Sequence, residues 1–377
     1  MISQIYLERM KNIQRKLLVF LEDESNIEES FKTLKSYFDN IKIYYNQHEL
    51  RSLLHLLIRI GNNHSHTSNL YCRIFQILKL FQKEIKKYFS NIEIFTIFKS
   101  NKRFLLFLIE NKMMTFDYFV AKKITSEKYI KSKYPQYFTP EILPFVDEKW
   151  FPKSELNWDE WIKALKNEKE ENFLRKRKKG QNDSLICQYI RKDSIKEFVR
   201  NLAMTNCPRD SIIKLSVYET NHFLIKKQIE NNGKLDLIEY AAFYGSLKIV
   251  NYLSNKYEMK ESLYHFVIHS NDIKIIHLYE DAFGDLNGKL YECYILESLK
   301  CHHNRLVGYF LNSPINRKLN SKNVLIQCLK NYNYAFIQNN CINKSYFFYL
   351  CKYDYYVLVD ILMKTQSIKL NLTSISF

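Results

Sequence analysis

The stretch Asp236-Leu-Ile-Glu-Tyr-Ala-Ala-Phe-Tyr-Gly-Ser-Leu-Lys-Ile-Val-Asn-Tyr-Leu253 decides the fold. It reads as two short helices joined by a tight turn. Asp236 is a competent N-cap, because a carboxylate there accepts the free N–H groups of the first turn. Ile238, Ala241 and Ala242 share one helical face. The paired alanines let a neighbouring helix approach closely. Gly245 stands where a left-handed residue ends a helix. Leu247, Ile249, Val250 and Leu253 form the apolar face of the second helix. Helices this short cannot bury their apolar faces alone and must stack on similar units.

With Gly245 as register mark, the equivalent positions are Asp193, Asn271, His302, Asn331 and Asp354. Most of these are Gly, Asn or Asp, which tolerate the left-handed turn. First helices start at Ser184, Asp236, Ser262, Ser321 and Ser345, all able to cap. Second-helix apolar pairs recur as Ile195/Phe198, Leu247/Val250, Ile273/Ile276, Leu306/Val307, Ala335/Phe336 and Leu358/Val359. The longest interval leaves room for an extra helix over 223–233. Asn333 and Asn339 fall where apolar residues are expected, as in capping repeats that keep one wetter face.

This pattern resembles the helix–turn–helix of an ankyrin repeat, Leu-His-x-Ala-Ala-x-x-Gly-His-x-x-x-Val-x-x-Leu. Ser216-Val-Tyr-Glu-Thr-Asn221, Leu237-Ile-Glu-Tyr-Ala-Ala-Phe-Tyr-Gly-Ser246 and Glu297-Ser-Leu-Lys-Cys-His-His-Asn304 follow one another in order. That succession is similar to a large family of divergent ankyrin-repeat proteins of trichomonad protists. The resemblance covers residues 184–311 and, more loosely, both flanks. It includes a Tyr-Phe-x-Pro-Glu segment at Tyr137–Glu141. It implies an ankyrin fold and a binding role, and brings no catalytic residues.

The composition agrees with a helical chain. The 377 residues include only 7 Gly and 6 Pro and are 46% hydrophobic, which disfavours an all-β protein rich in tight turns. Leu50, Leu53, Leu54, Leu57 and Ile58 make a helical stripe, and Leu70, Ile74, Ile77, Leu78 and Phe81 another. A further degenerate unit is read within 92–120, its outer helix at Asn101–Asn111. Tyr134–Pro144 reads as a proline-punctuated connector. The three tryptophans, Trp150, Trp158 and Trp161, cluster; they read as a small core rather than an exposed binding patch. Glu168–Lys179 reads as an exposed helix end before a linker at Gly180–Asp183. The fold expected is therefore all-α: a helical N-terminal region, residues 1–180, then an irregular ankyrin-type solenoid, residues 181–377.

The net charge is +17. A nucleic acid or an anionic surface would suit it, but a chain heavy in Lys, Asn, Ile, Tyr and Phe also matches AT-rich coding. Eight scattered cysteines without a C-x-x-C read as buried thiols of a reducing compartment. No secretory signal and no membrane span is expected. An intracellular, cytoplasmic protein is the reading. Nuclear import through Arg175-Lys-Arg-Lys-Lys179 is the alternative.

No catalytic, cofactor or metal residue is assigned. His64 and His66 lack further ligands at useful spacing, and zinc wants three or four. His265 and His269 lie at i, i+4, but Phe266 stands where a zinc protease carries Glu. Cys301-His302-His303 reads as a turn, since adjacent side chains cannot converge as a dyad must. Neither a P-loop nor a G-x-G-x-x-G nor a G-x-S-x-G motif occurs.

The functional clue is positional. Residues just before each register mark face the groove of an ankyrin stack. Here they include Arg191, Lys192, Phe243, Tyr244, His269, Lys300, Lys330, Lys352 and Tyr353. A basic, aromatic groove would bind an acidic protein segment, making the protein a non-enzymatic interaction scaffold. The competing account is that Lys and Arg sit at helix C-termini to offset the macrodipole. The runner-up function is a nucleic-acid-associated adaptor.

Overall fold

The computed structural model describes residues 2–23, 26–64, 69–145, 163, 170–255, 259–283, 288–312, 320–338 and 343–366. The fold of these residues is all-α. Their one β feature is an isolated antiparallel bridge between Ile212 and Asp236. No helix among them is long and apolar enough to cross a membrane. Trp150, Trp158, Trp161, His66 and Asn339 lie outside the described residues.

The chain forms two compact units. One joins Met1–Phe81 to Leu286–Phe377, and the other is Gln82–Asp285. The first unit begins with α1 (Ile2–Glu22), α2 (Ile27–Ile41), α3 (Gln47–Asn63) and α4 (Leu70–Leu80). The second opens with α5 (Gln82–Tyr88), α6 (Asn91–Phe98), α7 (Lys102–Glu110) and α8 (Tyr118–Ile124). It continues with α9 (Glu127–Ile130), α10 (Tyr134–Tyr137), α11 (Thr139–Ile142) and α12 (Glu170–Lys179). Its remaining helices are α13 (Leu185–Arg191), α14 (Ile195–Met204), α15 (His222–Glu230), α16 (Leu237–Phe243), α17 (Leu247–Ser254), α18 (Tyr264–Ser270) and α19 (Ile273–Phe283). The first unit resumes with α20 (Gly288–Cys301), α21 (Asn304–Leu311), α22 (Ser321–Asn331), α23 (Phe347–Lys352) and α24 (Tyr356–Gln366).

In the second unit, α13–α14, α16–α17 and α18–α19 are hairpins. Their first helices pack in succession, and so do their second helices. The quoted stretch is α16–α17. Its Ala241 and Ala242 are fully buried, as close helix approach requires. In the first unit, α20–α21 and α23–α24 are hairpins, and α20, α22 and α23 are successive neighbours. In the pair between them, α22 is followed among the described residues by a 3₁₀ turn, Tyr334–Phe336, in the place of a second α-helix. The N-terminal helices complete this unit. Leu7, Met10, Ile13 and Leu17 of α1 and Leu50, Leu53, Leu54 and Leu57 of α3 are fully buried. Each such side chain contributes about 1.5–3 kcal/mol by leaving water. Helix α1 packs on the Tyr334–Phe336 turn and on α24, and α3 packs on α20.

The hairpin turns share one backbone design. Asp193, Gly245, Asn271, His302 and Asp354 all have positive φ, as the register requires. At the sixth turn the left-handed residue is Tyr332 (φ 57°), one position after Asn331, which still belongs to α22. The following residue closes back on the first helix: Ser194, Ser246, His303, Asn333 and Tyr355 each donate N–H to the carbonyl five residues earlier. This is the Schellman closure, which satisfies carbonyls that a helix end leaves free.

Three local expectations need correction. Helix α22 is capped by Asn320 rather than Ser321, and the turn before α23 by Asn343 rather than Ser345. Asn320 Oδ1 accepts N–H from Lys322 and Asn323, and Asn343 Oδ1 accepts the N–H of Ser345. Asp236 is the N-cap of α16, as expected: it forms a capping box with Glu239, which accepts its N–H (2.8 Å), and its carboxylate also holds Lys260 (2.8 Å). The Tyr134–Pro144 connector contains two one-turn helices joined at Phe138, and Tyr137 and Phe138 are fully buried.

Gly180–Asp183 is no linker. Thr220 Oγ1 donates to Gly180 O (2.7 Å), and Glu219 Oε2 accepts Asn182 N–H (3.1 Å). A Cβ at Gly180 would come within 2.8 Å of Thr220 Oγ1. The Ser216–Asn221 motif thus has a physical role: it pins this strap into the second unit. Its Asn221 also caps α15, accepting Leu224 N–H (3.0 Å).

Candidate functional site

The nine groove residues divide between the units, and their environments differ. In the second unit, Phe243 and His269 are core residues. Phe223 stacks on His269 at 3.8 Å and on Phe243 at 5.5 Å. Neither reaches solvent, so neither can touch a partner in this conformation. Their place in the helix was read correctly, but position before a turn does not fix depth.

Arg191 and Tyr244 belong to a buried polar cluster. Arg191 donates to Tyr240 Oη (2.6 Å) and Asn182 O (2.8 Å), and its guanidinium lies 5.9 Å from the Tyr244 ring. Glu219, 1% exposed, accepts N–H groups from Asn182 and Asn221 (3.1 and 2.9 Å). Burial pushes its carboxyl up against the pull of those bonds. Lys102, equally buried, donates to Val217 O (2.8 Å), and burial pushes its ammonium down to about 7. Burial raises the Tyr240 and Tyr244 phenols well above their usual range and the Cys187 thiol to about 11. Perturbed groups can mark active sites. Here the donors of Arg191 and the oxygens of Glu219 are spent on protein partners that tie the strap to α13, which is a structural use. Lys192 is the one groove residue of this unit that is exposed.

The basic run Arg175–Lys179 is the last turn of α12. Arg177, 3% exposed, donates to Glu141 Oε2 (2.7 Å) and lies over the Tyr137 and Phe173 rings. Lys176 pairs with Asp183 (2.8 Å). The run is therefore partly consumed by packing, and only Arg175, Lys178 and Lys179 face solvent.

In the first unit, Lys300 is bound to Glu297 (2.5 Å). Lys330 and Lys352 are exposed and Tyr353 is half-buried. Helix α23, which packs on α22, gathers more than the sequence assigned. Phe348 is 57% exposed, and Lys352 Nζ lies 5.7 Å from its ring and 5.9 Å from that of Tyr353. Tyr349 and Tyr353 lie one turn apart with rings 22° from parallel, centroids 6.4 Å apart. Exposed Tyr356 stacks on His48 (4.2 Å), and Lys344 is exposed just before α23.

Carboxylates are scarce there. Residues 298–353 contain eight Lys or Arg and no Asp or Glu, a signal legible in the sequence that the register reading passed over. The first acid after them, Asp354, is already engaged: Arg51 Nη1 and His55 Nε2 each lie 3.0 Å from its Oδ2. Burial would raise its carboxyl, but the His55 hydrogen bond and the charges of His55 and Arg51 hold it below the ordinary value. The face is thus basic and aromatic, with its nearest carboxylate in sequence neutralised from α3.

Among the described residues, neither the His265/His269 pair nor the Cys301-His302-His303 turn forms the reaction centre its spacing could suggest. His265 packs its ring on Tyr264 (3.9 Å). His302 is the left-handed turn residue, with its Nδ1 facing Gln14 Nε2 (3.1 Å). Burial pushes its imidazole down to about 3 and raises the Cys301 thiol well above its usual value. A neutral thiol beside an inward-turned imidazole is no nucleophile–base pair. His64 Nδ1 is bonded to Cys301 O (2.8 Å).

No family model, no curated protein and no solved structure matches this chain.

Proposed function

We propose that the protein is a non-enzymatic interaction scaffold built from ankyrin-type helix pairs, and that the α22–α23 face of its first unit binds an acidic protein segment. The observation that carries this is Lys352 over the Phe348 and Tyr353 rings, with exposed Lys330 at the end of α22 and exposed Lys344 just before α23, within a stretch free of carboxylates. Aromatic side chains supply contact area at small entropic cost, and the lysines supply complementarity and a fast encounter. The ankyrin reading rests on the recurring hairpins and on the resemblance described above.

The triple reversal Lys330→Glu, Lys344→Glu and Lys352→Glu tests it. Exposed charge pairs each contribute about 0.2–1 kcal/mol. Affinity for a synthetic Glu/Asp-rich peptide should therefore fall on the order of tenfold to a hundredfold, with the helical circular dichroism unchanged. Unchanged affinity would refute the assignment. If the face instead takes single-stranded nucleic acid, the reversal abolishes that binding, and affinity falls steeply with salt whatever the base sequence.

A further inference from the structure

The α13–α14 and α16–α17 hairpins of the second unit are joined at two helix ends. Ser246, just after the left-handed residue, donates its hydroxyl to Ile190 O of the preceding pair (2.5 Å). The left-handed residue of that preceding pair, Asp193, accepts N–H from Lys248 and Ile249 of α17 (3.1 Å each). One bond closes a helix C-terminus and the other an N-terminus, the two places where backbone groups go unsatisfied.

The first unit repeats the first bond: Asn333 Nδ2 donates to Leu299 O (2.9 Å), and Leu299 lies three residues before its turn, as Ile190 does. The second contact has lost its local acceptor. His302 occupies the position of Asp193. In its place Gln14, from α1, brings Oε1 to Ala335 N–H (3.0 Å). Ala335 lies three residues after Tyr332, as Lys248 lies three after Gly245. Because Ala335 requires the oxygen, Gln14 Nε2 faces the other way, donating to Asn333 Oδ1 (2.8 Å) and meeting His302 Nδ1 (3.1 Å). Gln14 is 1% exposed. This is also the pair in which, among the described residues, a 3₁₀ turn stands in the place of the second helix, and α1 packs on that turn.

We infer that the shortened α22 pair is a helix-accepting slot whose resident occupant is the chain's own α1, keyed by Gln14. The partner chemistry it selects is an amphipathic helix with a primary amide in the middle of its apolar stripe, as Gln14 lies among Met10, Ile13, Leu17 and Leu18. This does not depend on the acidic-segment reading.

Two measurements on the full chain test it. First, Gln14→Leu should accelerate hydrogen exchange at Ala335 N–H at least tenfold. Adding His302→Asp, which restores a carboxylate where Asp193 has one, should return protection to within about threefold of the unaltered chain. Unchanged exchange in Gln14→Leu would overturn the inference, and so would a folded double variant that stays unprotected. Second, Leu7→Asp with Leu17→Asp should expel α1. A synthetic peptide of residues 2–22 should then restore protection at Ala335, and the same peptide carrying Gln14→Leu should act at least tenfold more weakly. Equal action of the two peptides, or action of neither, overturns the slot. If the expelled variant aggregates, the Gln14→Leu and His302→Asp pair still decides.

Discussion

The hairpin at Gly245 and the hairpin at Tyr332 carry the same backbone turn, yet they complete it with different chemistry. At Gly245 the material is local and small: a glycine in the left-handed position, a serine hydroxyl on one neighbouring carbonyl, and the Asp193 carboxylate on two neighbouring N–H groups. At Tyr332 it is long-range and large. A tyrosine takes the left-handed position, with its ring stacked between His55 (4.9 Å) and Tyr355 (4.7 Å). An asparagine replaces the serine, and a glutamine from α1 replaces the carboxylate. A turn built from neighbours can stand wherever its hairpin stands. A turn built from distant residues binds those residues into the fold, and its failure spreads further.

The largest expected difference follows from that contrast. Asn333 is fully buried and serves Leu299 O, Gln14 Nε2 and Asn304 Oδ1. Asn333→Leu removes all of these and strands buried partners, which costs about 3–5 kcal/mol in such networks. Ser246→Ala removes one hydroxyl bond and costs about 1–1.5 kcal/mol. Hydrogen-exchange mass spectrometry reads each unit separately, which matters because a chain of two units need not unfold in one step. Comparable losses at the two positions would break the comparison.

Acid should separate the turns next. His302 can accept from Gln14 only while neutral, and burial holds its imidazole down to about 3. In an unfolded chain a histidine takes up its proton near 6.5. Between those values the unfolded chain binds more protons, so stability is lost as pH falls from about 6.5 toward 3. At about 1.4 kcal/mol per pH unit, the loss reaches on the order of 3 kcal/mol about two units below the unfolded value, at about pH 4.5. Exchange around Ala335 should accelerate over that range, and His302→Asn, which suits the left-handed position and does not titrate, should flatten the response. A slope that survives His302→Asn would assign the acid sensitivity elsewhere.

How much of this was legible in the sequence depends on the distance over which each contact acts. Asp193, Gly245, Asn271, His302 and Asp354 were placed correctly in the left-handed turns, because backbone sterics there favour small or Asx residues within a few positions of the helix end. Tyr332 was missed for the same reason: propensity alone puts Asn331 in that place, and only the His55 and Tyr355 rings make a tyrosine acceptable. Asn333, read as one of the wetter positions of a capping repeat, is fully buried. Its partners Gln14 and Leu299 come from other elements, one of them 319 residues away. The candidate face shows the same limit. Lys330, Lys352 and Tyr353 follow from position before a turn, whereas Phe348 and Tyr349 needed the exposure of α23. Phe243 and His269 satisfied the positional rule and are nonetheless core.

The smallest effect tests whether the Gly245 turn is as local as claimed. Gly245 has φ +72°, and a Cβ built on it would meet only Ser270 Cβ, at 3.9 Å, an ordinary contact. A side chain there faces no steric barrier from its neighbours, so the whole penalty is the left-handed backbone itself. For Gly245→Ala that is about 1 kcal/mol, and for Gly245→Asn it should be smaller, because an asparagine side chain bonds locally in this conformation. The converse change, Tyr332→Gly, relieves the same backbone strain but removes a ring that is 1% exposed, so it must destabilise overall. Thermal or denaturant midpoints with local exchange give all three numbers. If Gly245→Ala costs several kcal/mol, the Gly245 turn depends on more than its own backbone. If Tyr332→Gly stabilises the protein, the ring stack does not hold the other turn. Either outcome would remove the distinction between a hairpin closed by its neighbours and one closed from across the unit.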